Sequence, residues 1–153
     1  MSKNDDLTVR NFGCRLNALD GDHIRDAATK AGLAQATIIN SCAVTSEAVR
    51  QARQAVRKAA KAKPETSIIV TGCAAQTDGD AFAAMPEVSQ VIGNEEKFLA
   101  ASYVSQNTHQ AETLENTKAL QVSDIMEITR AVPRSNVPQQ SRARAFVQVQ
   151  TGC

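Results

Sequence analysis

Residues 67–73 read Ser67-Ile68-Ile69-Val70-Thr71-Gly72-Cys73, a near-continuous β-branched run that stops at a glycine and a cysteine. Such a run predicts a strand buried on both faces, the pattern of a parallel sheet. Working back, Ala36-Thr37-Ile38-Ile39-Asn40 leads into Ser41-Cys42, and the stretch from Leu7 to Phe12 leads into Gly13-Cys14. The cysteines are 28 and 31 positions apart, about one βαβ repeat, so each is expected where a parallel strand ends and its helix has yet to begin. In such a sheet those ends lie side by side, and residues distant in sequence meet.

The alternation continues in both directions. Leu16, Leu19, His23, Ile24, Ala27 and Ala31 recur at helical spacing until Gly32, which predicts a first helix. Thr45 or Ser46 is placed to cap a second helix through about Lys61, with Glu47 at the positive end of the dipole, and Pro64 closes that unit. A third helix is predicted over Asp78 to Met85, a fourth strand over Ser89 to Ile92, and a last helix capped by Asn94 and carrying Phe98, Leu99 and Val104. Four strand-helix units with short connections predict an α/β domain over residues 1–104. Its expected form is an open parallel sheet of about four strands with right-handed crossovers and helices on both faces, Rossmann or flavodoxin-like. From 105 to 143 the composition shifts to Gln, Asn, Thr and Ser with Pro133 and Pro138, and reads as a linker with a little local structure near Leu120 to Ile128. Residues 144–153 then alternate again through Ala145-Phe146-Val147-Gln148-Val149-Gln150, a strand signal, and stop at Thr151-Gly152-Cys153.

With 153 residues, 42% apolar and 22% charged, the chain is expected to form one soluble domain plus an extension. Aromatics are 3% with no Trp, so the core must come from Val, Ile, Leu and many alanines, which suits helices packed closely on a parallel sheet. A net charge of +1 names no partner, and any nucleic-acid footprint must be a local cluster. No window approaches ~20 consecutive apolar residues. The start, Met1-Ser2-Lys3-Asn4-Asp5-Asp6, lacks the apolar stretch of a signal peptide, so the expected location is the cytoplasm, with no membrane partner. Thiols stay reduced there, and four cysteines point to metal binding or catalysis before disulfides.

Cysteine thiolates hold iron-sulfur clusters, and three ligands on a four-iron cluster leave one iron open to water, substrate or an extra sulfur. Cys14, Cys42 and Cys73 are the candidate ligands. Strand ends and helix N-termini supply N–H groups suited to the negative charge of thiolates and sulfides. Gly13 and Gly72 allow the backbone to come close. Asn17 and Gln76 follow Cys14 and Cys73 closely enough for their amides to bond cluster sulfides, or equally to serve as turn and cap residues. The alternative is a non-catalytic binding module of flavodoxin-like shape with structural cysteines, since free Cys is among the most buried residue types. Zinc competes less well, because structural zinc sites show paired C-x-x-C spacings and four ligands, a pattern this chain lacks.

On the second helix Arg50, Arg53, Arg57 and Lys61 form one stripe beside the apolar face of Val49, Ala52, Val56 and Ala60. A solvated face is the simpler reading, and a surface for RNA phosphates near the cluster is the sharper one. His23 and His109 have no partner pattern suggesting catalysis and are read as structural.

Four ordered motifs now carry a resemblance. Gly13-Cys14-Arg15-Leu16-Asn17, Asn40-Ser41-Cys42-Ala43-Val44-Thr45, Val70-Thr71-Gly72-Cys73-Ala74-Ala75-Gln76 and the run from Arg144 to Cys153 resemble the radical-SAM methylthiotransferases over nearly the whole chain. The Cys-Ala-Val-Thr segment followed by Arg53-Gln54 is most similar to the enzymes that methylthiolate N6-threonylcarbamoyladenosine in tRNA, ahead of the isopentenyladenosine and ribosomal-protein branches. The resemblance implies a three-part enzyme whose first part is this N-terminal domain, followed by a radical-SAM partial barrel and an RNA-binding β-barrel. It implies that Cys14, Cys42 and Cys73 bind an auxiliary 4Fe-4S cluster, and that Cys153 is the first ligand of a C-x-x-x-C-x-x-C motif for the SAM cluster. S-adenosyl-L-methionine, tRNA and an electron donor such as a flavodoxin are the implied cofactor and partners. In the implied chemistry one SAM methylates a sulfur on the auxiliary cluster. A second SAM yields a radical that takes hydrogen from C2 of the adenine. With only Cys153 of its motif present, this chain alone is expected to be inactive.

Overall fold

The structure, a computed structural model, describes residues 6–104, 119–124 and 126–127. Five strands form one parallel sheet in chain order: β1 (Thr8–Asn11), β2 (Ala36–Ser41), β3 (Ser67–Gly72), β4 (Gln90–Ile92) and β5 (Ala119–Gln121). Between them in the chain lie α1 (Arg15–Lys30), α2 (Ser46–Ala62), α3 (Cys73–Thr77), α4 (Gly79–Ala83), a 3-10 turn at Glu96–Phe98, and α5 (Ala101–Val104).

The expected signals explain most of these elements. Thr45 caps α2, its hydroxyl accepting from the Ala48 amide at 3.1 Å. Gly32, with φ of 75°, follows the end of α1 in the left-handed conformation that stops a helix. Ala52, Ala55, Val56 and Ala59 of α2 pack with Phe82 of α4 against Ile39, Ile68, Val70 and Val91 on one face of the sheet. Ile24, Ala27 and Ala28 of α1 and Tyr103 of α5 pack against Ile38, Ile69 and Ile92 on the other. Small alanines let the helices approach, and each fully buried Ile or Val contributes about 1.5–3 kcal/mol. Helices on both faces of a parallel sheet are therefore as expected.

Four details differ. The strands step across the sheet in one direction, yet α1 and α2 lie on opposite faces. The β1-α1-β2 and β2-α2-β3 crossovers therefore have opposite hands, and they cannot both follow the expected right-handed rule. β2 and β3 are apolar on both sides, so their side chains accept a helix on either face. A fifth strand joins the expected four: β5 pairs with β4 through Gln90 with Ala119 and Ile92 with Gln121. Three residues are too few to show a periodicity. The third helix starts at Cys73 instead of Asp78 and is broken at Asp78, whose φ of -138° and ψ of 38° leave the helical region. The last helix is likewise divided, because Leu99 is extended and the Asn94 side chain bonds elsewhere instead of capping. The strand expected over 145–150 lies outside the described residues. No helix among the described residues is long and apolar enough to cross a membrane.

Candidate metal-cluster site

The sheet register puts Asn11 beside Asn40 and Asn40 beside Thr71, so the three cysteine-bearing ends of β1, β2 and β3 are neighbours. Cys14 is the exposed N-cap residue of α1, Cys42 is buried directly after β2, and Cys73 is half-buried at the first position of α3. The turns that carry them fit tightly. Gly13 has φ of 96°, and a Cβ there would overlap Cys42 Cβ and lie 2.6 Å from its Sγ. Gly72 has the same φ, and a Cβ there would overlap the Ser41 carbonyl and lie 2.7 Å from Asn40 Oδ1. Both glycines let one strand end press against the next, in a backbone conformation other residues rarely adopt.

Buried amides lace these ends together. Asn17 Nδ2 donates to the Phe12 carbonyl at 2.7 Å and the Ser41 carbonyl at 3.1 Å. Asn40 Nδ2 donates to the Asn17 carbonyl at 2.9 Å and to Asn11 Oδ1 at 3.1 Å. The Ser41 hydroxyl donates to the Thr71 carbonyl at 2.6 Å. Gln76 does the same farther along: its Nε2 donates to the Ser123 carbonyl at 2.8 Å, and its Oε1 accepts from the Asn94 amide at 3.1 Å. The amides of Asn17 and Gln76 thus hold backbone at the strand ends, the turn role weighed from sequence. Cys42 Sγ accepts from the Val44 amide at 3.5 Å.

Beside Cys73 lies a group that the sequence reading missed. Asn94 Nδ2 is 3.8 Å from Cys73 Sγ, and Asn94 Oδ1 accepts from Lys97 Nζ at 3.0 Å. Lys97 is buried and paired with buried Asp20 of α1 at 2.7 Å, the two side chains being 4% and 6% exposed. The Tyr103 hydroxyl donates to the Lys97 carbonyl at 2.6 Å, and burial pushes that phenol's pKa above its ordinary value. Asp20 and Lys97 are 77 residues apart, so no sequence spacing announces the pair. A detectable signal existed for Asn40, a lone amide closing an apolar strand.

The basic stripe on α2 is exposed except for half-buried Arg53 and borders a groove of about 460 Å³ lined by Ser46, Val49, Arg50, Arg53, Gln54 and Arg57. Arg50 grips Glu47 through two bonds of 2.8 and 2.7 Å, and the Glu47 carboxyl is lowered to about 2 by that pairing first and by Gln51 second. Arg53 pairs with Asp78 at 2.6 Å and stacks over the Phe82 ring at 5.5 Å. Lys61 lies one turn beyond Arg57 on the same exposed face. His23 packs edge-on against Phe98 at 6.1 Å. Cys153 and His109 lie outside the described residues.

Among the described residues no three His, Cys, Asp or Glu side chains are gathered tightly enough to hold a single metal ion. A four-iron cluster asks for something wider, because each thiolate binds a different iron. Three thiols on adjacent strand ends, close backbone at Gly13 and Gly72, and an amide N–H facing Cys73 fit that demand in donor chemistry.

Comparison with known proteins bears on the same residues. A family model described as "Uncharacterized protein family UPF0004" matches residues 6–93. The chain is 44% identical to Threonylcarbamoyladenosine tRNA methylthiotransferase MtaB of Rickettsia prowazekii, over 93% of this chain and 31% of that protein. It is 30% identical to the protein of the same name from Bacillus subtilis, over 96% of this chain and 33% of that one. It is 31% identical to Ribosomal protein uS12 methylthiotransferase RimO of Thermodesulfovibrio yellowstonii, over 65% of this chain and 26% of that protein. The chain spans about a third of the length of the curated relatives it matches. The strand-end cysteines and glycines fall inside the matched segment, and the chain belongs to the methylthiotransferase family.

Proposed function

We propose that this chain is the N-terminal part of a radical-SAM tRNA methylthiotransferase and holds its auxiliary 4Fe-4S cluster through Cys14, Cys42 and Cys73. The observation that carries the reading is the placement of these thiols on three adjacent strand ends. When bound, such a cluster supplies an open iron, a soft site able to hold a sulfur destined for transfer. The chain's own residues do the rest. Asn17, Asn40 and Ser41 bind the strand ends to one another and so set the spacing of the thiols. Gly13 and Gly72 keep side chains out of the gap between neighbouring ends.

In this reading residues 1–104 form the domain proper, 105–143 link onward and contribute β5, and 144–153 begin the radical-SAM barrel. Cys153 is the first ligand of the SAM cluster. S-adenosyl-L-methionine, an electron donor such as a flavodoxin, and a cytoplasmic setting go with the whole enzyme. The substrate is N6-threonylcarbamoyladenosine in tRNA, methylthiolated at C2 of the adenine. The two relatives so named match more than nine-tenths of this chain, while the ribosomal-protein relative matches 65%. The α2 groove, with Arg50, Arg53, Arg57 and Lys61, meets tRNA phosphates; the Arg53→Gln/Arg57→Gln variant of the full-length enzyme should bind tRNA more weakly with a flatter salt dependence.

Anaerobic reconstitution with iron and sulfide tests the central claim. Wild type should take up about four irons per chain with broad visible absorbance, both lost on Cys42→Ala. A colourless wild-type chain with fully reactive thiols would reject it. Nucleoside analysis of tRNA from a deletion strain complemented with the full-length gene tests the substrate.

A further inference from the structure

A buried lysine one residue removed from a candidate ligand calls for an explanation. Lys97 donates to Asp20 Oδ2 at 2.7 Å and to Asn94 Oδ1 at 3.0 Å, with its ammonium 5.0 Å from the Phe98 ring centre. An ammonium only donates, so the Asn94 atom that faces it must be the carbonyl oxygen. That choice turns the amide nitrogen the other way, where it lies 3.8 Å from Cys73 Sγ. The Asn94 backbone is held as well, by Gln76 Oε1 at 3.1 Å. The amide is therefore fixed in position by Gln76 and in orientation by Lys97, and the N–H it presents points at sulfur.

We propose that Lys97 is a positioning residue that, through Asn94, directs a hydrogen-bond donor at the Cys73 sulfur and raises the reduction potential of the cluster ligated there. The inference rests on the cluster reading above. A donor to a ligating sulfur stabilises negative charge there, and it stabilises the reduced cluster more than the oxidised one because the reduced cluster carries one more electron. Asp20 neutralises the lysine so that the charge can remain buried.

The test uses the 153-residue chain reconstituted anaerobically, as wild type, Asn94→Leu, Lys97→Arg and the double variant Asp20→Asn/Lys97→Met. Iron content, visible spectrum and midpoint potential are measured on each, with thermal unfolding of the metal-free chains as a check on folding. Asn94→Leu and the double variant should keep their iron while the reduction equilibrium shifts roughly tenfold toward the oxidised form, about 59 mV more negative for a one-electron couple. Lys97→Arg, which still donates to Asn94, should stay near the wild-type potential. If the double variant fails to fold, Asn94→Leu decides, since it leaves the ion pair intact. Full iron content with an unchanged potential in Asn94→Leu overturns the proposal and leaves the cluster reading standing. A wild-type chain that binds no iron overturns both.

Discussion

At the β1–β2 edge, Cys14 and Cys42 are framed by neutral amides, those of Asn11, Asn17 and Asn40, bonded to one another and to backbone. At the β3–β4 edge, Cys73 faces an amide that is in turn held by an ammonium and a carboxylate, all but the amide deeply buried. Both arrangements fix strand ends. They differ in cost and in consequence: neutral amides satisfy buried polar groups cheaply, whereas a buried ion pair carries a large desolvation penalty that it offsets only when complete. The first edge is built for spacing, and the second places charge close to a thiol.

The contrast is broken most severely by removing half of the ion pair. Asp20→Asn leaves Lys97 buried without its partner and should cost about 3–5 kcal/mol in urea unfolding. The double variant Asp20→Asn/Lys97→Met should recover most of that loss. A single variant as stable as wild type would mean that the pair is not closed off from water.

Next in size come the glycines. Gly72→Ala meets the Ser41 backbone, and Gly13→Ala meets the Cys42 side chain. Each adds about 1–3 kcal/mol of backbone strain at positive φ, and Gly72→Ala should melt at the lower temperature because backbone cannot turn aside as a side chain can. The reverse order would argue that Cys42 is held more rigidly than the strand beside it.

Asn40→Ala removes two donated bonds at the amide edge and should cost about 1–3 kcal/mol. Its sharper readout is iron uptake, which should fall because the β1 and β2 ends lose one of their side-chain ties. Equal uptake would assign the spacing to Asn17, Ser41 and the glycines without Asn40.

Smallest is the exposed Glu47–Arg50 pair. The Arg50 guanidinium lowers the folded-state pKa of Glu47 to about 2, below the ordinary carboxylate range, so its contribution is complete above that ordinary range and lost as pH falls toward 2. Full exposure makes the effect slight. The unfolding midpoint of Glu47→Gln should match wild type near pH 2 and fall just below it at pH 7 in low salt, a gap that high salt closes.

Much of this was legible beforehand. Ile68, Ile69 and Val70 announce a strand apolar on both sides, and Thr45 followed by alanines at helical spacing announces α2. Cys42 and Cys73 were readable as strand-end residues because each directly follows a buried strand, and Cys14 because it follows the short strand signal from Leu7 to Phe12 at the matching place in the repeat. Asn17 was visible as a candidate, but its commitment to the Phe12 and Ser41 carbonyls was not, since it depends on how β1 and β2 pair. β5 was hidden because three residues carry no pattern, and the break at Asp78 because Asp at a helix start and Asp between two helices read alike.

Local sequence by itself determined the order and type of the elements, the placement of each thiol after a strand, and the family, because periodicity, caps and motifs are properties of neighbouring residues. Only the tertiary structure decided which face each helix covers, that Asp20 meets Lys97, and that the Asn94 amide turns toward Cys73. β2 and β3 are apolar on both faces and leave the choice of side open. The contacts that close it join residues tens of positions apart, and their energies exist only once the sheet has brought them together.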